Sequence, residues 1–398
     1  MDRLPRLQTR HHKEHPGGVL DRSIAAYHPL SDVGIRSRAV SAGWCDHDCM
    51  RLLILGGTWF LGRTIAEQAI AAGWQVTTFS RGRSGHDVPG TTAVRGDRQE
   101  LSDIARLAKA GPWDAVVDAS GQIPAVVAAS AKALRPRSAG YVYLSTVNAY
   151  TGWPAEPLTD DSPTYDPVPD EIAARPGAAE GMAPAVEYGR LKATCELAAR
   201  QWFGDDCLVL RPGVVIGPYE YVGRLPWWLR RMRRGGQVLA AGDPDRPIQP
   251  VDVRDLAAFI LVAAERGLNG SMNVTAPIGH STYGEMLAAC RDVTGGNADL
   301  VWVEDQWLSA QDVTPWTEIP LWRTAAGAWN VTSATAEAAG LSCRPLLDTV
   351  TDTWAWMQQE EPIPHERADE IGIDQVKEQR LLDAWLQRHG TGRKHPGS

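Results

Sequence analysis

Basic charge, lysine, clustered cysteine and long apolar runs are what this 398-residue chain has little of. Its 40 Lys and Arg stand against 48 Asp and Glu, a net charge of −8, so the electropositive footprint of a nucleic-acid surface is not expected. Lysine supplies only six of those 40, a bias that a GC-rich coding sequence produces without any function. No apolar run approaches the roughly 20 residues that span a bilayer, and the first 49 residues hold no apolar core of a secretory signal. The six cysteines, at 45, 49, 195, 207, 290 and 343, are scattered, which excludes a disulfide framework and fits reduced thiols in the cytoplasm. Cys45 and Cys49 bracket His47 in "WCDHDC", but no second ligand cluster follows nearby, so no metal is expected.

What is present is an ordinary soluble composition, 43% hydrophobic and 22% charged. Residues 1–49, polar and rich in His, Arg and Pro, read as a disordered extension before Met50. From there strands and helices alternate. "RLLILGG" is a buried strand and "GRTIAEQAIAAG" an amphipathic helix; "QVTTFSR", "TAVRGD", "DAVVDASG" and "GYVYLSTVNAY" follow as strands, then "VEYGRLKATCELAARQW" as a helix and "CLVLRPGVVIG" as a sixth strand. This is the pattern of an α/β protein with a doubly wound parallel Rossmann sheet. The rhythm breaks after Gly217. Trp227 and Trp228 come first, then Trp302, Trp307, Trp316, Trp322 and Trp329, as packing for a small subdomain or the lining of a pocket. The expected layout is a dinucleotide-binding domain over 50–215, completed by about 247–277. A smaller, discontinuous substrate-binding subdomain takes 216–246 and 278–360, and a helical tail 361–398.

The chemistry concentrates at strand ends. Gly56 and Gly62 bound a strand-to-helix turn, with Gly57, Thr58, Trp59, Phe60 and Leu61 between them, whose amides and helix N-terminus face a pyrophosphate. Trp59 occupies the place of the usual middle glycine; its amide serves if the indole lies beside the cofactor or over the helix start. The second strand ends not in an acid but in Ser80, followed by Arg81 and Arg83, which favours the 2′-phosphate of NADP(H) over NAD(H). Asp97, with Arg98 beside it, stands after the third strand to reach the adenine, although Asp97 equally suits a helix cap. Tyr188 and Lys192, four apart, share one helix face, and the fifth strand offers Thr146 for a substrate oxygen and Ser145 on the cofactor side. An ammonium near a tyrosine favours phenolate, making Tyr188 a usable acid/base.

With "LGGTWFLG", "DASG", "LSTVNAY", "YGRLK", "LRPGVVIGP" and "VDVRDLA" in order, the chain from Met50 to about residue 357 resembles the extended short-chain dehydrogenases/reductases, the NAD(P)-dependent epimerase/dehydratase family. The resemblance implies a catalytic triad of Thr146, Tyr188 and Lys192. It further implies pyrophosphate contacts from Gly56, Gly57 and Gly62, with Ala119, Ser120 and Gly121 beside the cofactor. Pro212, Gly213, Val214 and Val215 would lie along the nicotinamide. Three departures stand out. Val147 and Asn148 replace the Asp-Glu pair of sugar dehydratases, which disfavours elimination of water. Ile248 takes the place of the arginine that grips a nucleotide-sugar diphosphate, Arg246 lying two residues early. Trp59 resembles the "GGTxFIG" branch of chloroplast stem-loop-binding-like proteins. The implied protein reduces a ketone or epimerises a secondary alcohol of a sugar-like or secondary metabolite, without nucleic acid or membrane partners, as a homodimer. A dinucleotide- or RNA-binding protein without catalysis is the alternative on the same fold.

Overall fold

The structure, a computed structural model, describes residues 49–83, 86–174, 183–360 and 370–389. Apart from Cys49, the N-terminal extension lies outside the described residues, as do 361–369 and 390–398 of the tail. The strands are β1 (Arg51–Leu55), β2 (Gln75–Ser80), β3 (Thr92–Arg95), β4 (Ala115–Asp118), β5 (Tyr141–Leu144), β6 (Cys207–Pro212), β7 (Val215–Ile216), β8 (Gly236–Ala241), β9 (Pro247–Ile248), β10 (Val251–Asp252) and β11 (Gly270–Val274). Two short strands follow, β12 (Ser281–Thr282) and β13 (Ala298–Val303).

Seven strands form one parallel sheet in the order β11-β6-β5-β4-β1-β2-β3. Parallel strands are covered on both faces, and β1 shows how a short sequence serves two cores. Leu52 and Ile54 join one buried cluster, while Leu53 and Leu55 join the other. Helices α1 (Phe60–Ala71) and α7 (Val253–Arg266) cover the first face, and α2 (Leu101–Ala110), α3 (Pro124–Leu134) and α5 (Pro184–Phe203) the second. Strand β11, "GSMNV", has no apolar run to announce it. Its Asn273 is buried because the side chain accepts from Tyr150 at 2.8 Å and the amide donates to Asp160 at 2.6 Å.

A third core lies in residues 214–385. It gathers α6 (Arg224–Arg234), α8 (Tyr283–Thr294), α11 (Leu346–Gln359) and α12 (Gln375–His389) around the parallel pair β8–β13. Helix α8 starts at a reciprocal cap between Thr282 and Glu285. Trp228 is fully buried here and its Nε1 donates to the Pro320 carbonyl at 2.8 Å, so of the two roles the sequence leaves open, core packing and pocket lining, this tryptophan takes the first. No helix among the described residues is long and apolar enough to cross a membrane.

Candidate active site

Gly56 turns out of β1 with φ +93°, a conformation open to glycine at no steric cost. Gly62 is needed for close approach: a Cβ there would sit 2.0 Å from the Gly56 carbonyl oxygen, so α1 begins in contact with the turn it leaves. At Gly57 a Cβ would strike Thr78 at 2.5 Å. The first helical bond runs from the Arg63 amide to the Trp59 carbonyl at 3.2 Å, which leaves the amides of Phe60, Leu61 and Gly62 at the open end of the helix. Trp59 keeps an extended backbone at the helix start, and its indole lies against Tyr221 with centroids 4.9 Å apart. A cradle this tight around bare backbone fits a pyrophosphate.

At the end of β2, the Ser80 hydroxyl accepts from the Gly82 amide at 3.3 Å and from Arg95 at 3.2 Å. Arg81 and Arg83 are exposed, Arg81 lying 3.9 Å from Asp97. Asp97 accepts from the Gln99 amide at 3.0 Å, in the turn that leads to α2. Arg98 turns inward. It forks onto Asp118 at 2.7 and 2.8 Å and reaches Ser120 at 3.2 Å.

Tyr188 and Lys192 lie on α5, which Pro184 opens at its first turn. The helix is pressed onto the turn after β5: a Cβ at Gly189 would come within 2.1 Å of the Asn148 carbonyl oxygen. Thr146 caps that turn, its hydroxyl accepting from the Asn148 amide at 3.2 Å. Tyr188 is 42% exposed, whereas Lys192, one turn on, is 5% exposed. The Lys192 Nζ donates to the carbonyls of Gly121 at 2.8 Å and Leu144 at 2.6 Å and sits 4.4 Å over the Tyr143 ring. Burial pulls this ammonium below the usual lysine range, against the upward pull of Cys195, Asp118 and Glu196. Lys192 is thus seated at the carboxyl ends of β4 and β5, where open α/β sheets bind ligands, and the helix that carries it and Tyr188 packs on the turn that Thr146 caps.

Ser145 points the other way and donates to Glu196. Glu196 is clamped by Arg211 at 2.6 and 3.0 Å, and Arg211 also donates to Tyr150 at 2.9 Å. Burial pushes the Tyr150 hydroxyl up to about 12. The Gly213 amide donates back to the Val274 carbonyl at 3.3 Å, and of Pro212 to Val215 it is Gly213 and Val214 that line a narrow recess, together with Val147, Trp153, Gln249, Thr275 and Trp329. The indole N–H groups of Trp153 and Trp329 are buried there without a hydrogen-bond partner among the described residues. Above Trp153 lies Arg323, its guanidinium 4.6 Å from that ring and 3.9 Å from Trp316. Burial, then the charge of Arg224, lowers Arg323 to about 10. Arg246 is engaged by Asp305 and the Arg323 carbonyl, and Ile248 is fully buried.

Residues 52–275 match the NAD dependent epimerase/dehydratase family. The chain belongs to that family. This family member is 25% identical over 261 residues to the chloroplast stem-loop binding protein of 41 kDa b of Arabidopsis thaliana, across 62% of this chain and 63% of that one, so it spans under two thirds of that relative's length. Among solved structures it is similar to the Bordetella bronchiseptica enzyme WbmG in complex with NAD and UDP, with TM-score 0.58, 18% identity and coverage of 78% and 96% of the two chains. It is also similar to UDP-glucose 4-epimerase with UDP-glucose from Thermotoga maritima, with TM-score 0.57, 17% identity and coverage of 78% and 99%. At these identities the likeness shows the fold of the epimerase/dehydratase family member.

In this family member the sequence reading missed Asp118, Glu196, Arg211, Trp153 and Arg323, while Trp329 belongs to the tryptophan-rich stretch it had offered as packing or pocket lining. "DASG" and "LRPGVV" carried two of them in plain view, but their partners lie at distant positions, Arg98 and Glu196. Among the described residues no group of three or more His, Cys, Asp or Glu could hold a metal ion, and Cys45 and His47 lie outside them.

Proposed function

We propose that this protein epimerises, or reduces and oxidises, a secondary alcohol of a sugar-like small molecule bearing an anionic group. The observation that supports the reading is the packing of Gly189 on Asn148, which brings the helix of Tyr188 and Lys192 onto the turn that Thr146 caps. When bound, a nicotinamide dinucleotide would supply hydride transfer at the substrate carbon. Thr146 holds the substrate oxygen, Tyr188 takes and returns its proton, and the Lys192 ammonium favours the phenolate form of Tyr188. Gly56 to Gly62 bind the pyrophosphate. NADP(H) is the preferred form, supported by Ser80, Arg81 and Arg83 at the end of β2, where no carboxylate ends the strand, and by Arg95 at the end of β3, which donates to Ser80. Arg323 and the indole N–H groups of Trp153 and Trp329 recognise the anionic group, a diphosphate like the one in the UDP-glucose of the Thermotoga maritima structure. The substrate family is tested by incubating the protein with UDP-sugars and NADP+ or NAD+ and following the sugar protons by NMR. Conversion that Tyr188→Phe abolishes supports the reading. Conversion that survives this change overturns the triad.

A further inference from the structure

Three charged side chains act on Lys192: Glu196 from its own helix, Asp118 from the end of β4, and Arg98 from the turn before α2. Asp118, the last residue of β4, is fully buried. Its carboxylate accepts both terminal nitrogens of Arg98, the Tyr141 hydroxyl at 2.7 Å and the Ser120 amide at 3.2 Å. The chain then bends at Gly121 so closely that a Cβ there would sit 2.7 Å from Asp118 Oδ2. The carbonyl of that same Gly121 is one of the two acceptors of Lys192 Nζ. The geometry points to the Arg98–Asp118 pair as a positioning element for Lys192: it fixes the Gly121 carbonyl that seats the ammonium, and Asp118 supplies a counter-charge across the bend.

The electrostatics agree in both directions. Burial works against ionisation of Asp118, yet Arg98, Tyr141 and the Lys192 ammonium together hold its carboxyl below the usual range. Lys192 in turn feels Cys195 and Glu196 from its own helix, Tyr143 from β5, Asp118 from β4, and Arg98 in opposition. Glu196 is itself neutralised by Arg211. The pair therefore acts on Lys192 with two opposed signs, which separates a charge effect from loss of structure.

This inference rests on the reading of Lys192 as the partner of Tyr188, but its test does not need turnover. The full chain is labelled at lysine Cε, and the six lysines are titrated by NMR, Lys192→Met assigning the signal. Asp118→Asn removes the counter-charge and leaves Arg98, so the Lys192 titration moves down by about one pH unit. Arg98→Gln leaves the carboxylate alone and moves it up. The double variant returns most of the way. If Asp118→Asn does not fold, the upward shift in Arg98→Gln decides. A Lys192 titration unmoved by the single variants, or moved the same way by both, overturns the inference. With a substrate in hand, the alkaline limb of kcat/KM follows the same signs. Shifted titrations beside a fully active Tyr188→Phe would sink the proposed function and leave the positioning intact.

Discussion

The glycine turn at 56–62 and the tryptophan-lined recess at 153 and 329 are built by opposite means. The turn presents backbone amides and leaves no room for side chains, as the 2.0 Å approach at Gly62 shows. The recess is lined by side chains drawn from four segments, with Val147 and Trp153 before α5, Gln249 near β9, Thr275 after β11, and Trp329 beyond α9 (Asp305–Ala310). A backbone site can be written in a dozen consecutive residues. A side-chain site on a variable subdomain cannot, and it is where members of one fold diverge in substrate.

Substitutions can break that contrast or sharpen it. The largest effect is expected at the junction of the two regions: Tyr188→Phe lowers kcat by about 10²- to 10⁴-fold in a coupled turnover assay while cofactor affinity holds. Arg211→Met leaves Glu196 buried and uncompensated, so urea unfolding should show a loss of about 3–5 kcal/mol. On the recess side, Arg323→Ala raises KM for an anionic substrate by roughly 10- to 100-fold with kcat little changed, as expected for a hydrogen bond to a charged group. On the turn side, Gly62→Ala costs about 1–3 kcal/mol of stability by overpacking and weakens cofactor binding in fluorescence titrations, leaving KM for substrate at saturating cofactor untouched. If Gly62→Ala and Arg323→Ala each moved the other's readout, the two regions would not be separate. The smallest effect is at the exposed rim, where Arg81→Ala narrows the ratio of NADP+ to NAD+ affinity a few-fold, because exposed charges contribute about 1 kcal/mol or less.

These regions were unequally legible. Strands β1 to β6, the turn and the Tyr188–Lys192 spacing are short-range patterns, and each lies where the sequence places it. Strand β11 escaped because a strand carrying Ser271 and Asn273 has no apolar alternation to detect. The environment of Trp228 stayed open for a related reason: an indole suits a core or a pocket equally, and what decides it is Pro320, 92 positions away. The charge pairs are still more remote in sequence, Arg231 meeting Glu378 across 147 residues. Asp118 was visible as a letter in "DASG", but nothing local said that an arginine 20 positions earlier would fork onto it.

The contact between Gly189 and Asn148 has a consequence for how this protein can drift. A side chain at 189 has no room on the turn, so any replacement separates the helix of Tyr188 from the loop of Thr146 before either hydroxyl is altered. In a mutational survey position 189 would therefore behave like a reacting residue although it has no functional group. Of the three neighbours it holds in register, it would be the one that tolerates the least chemical variety.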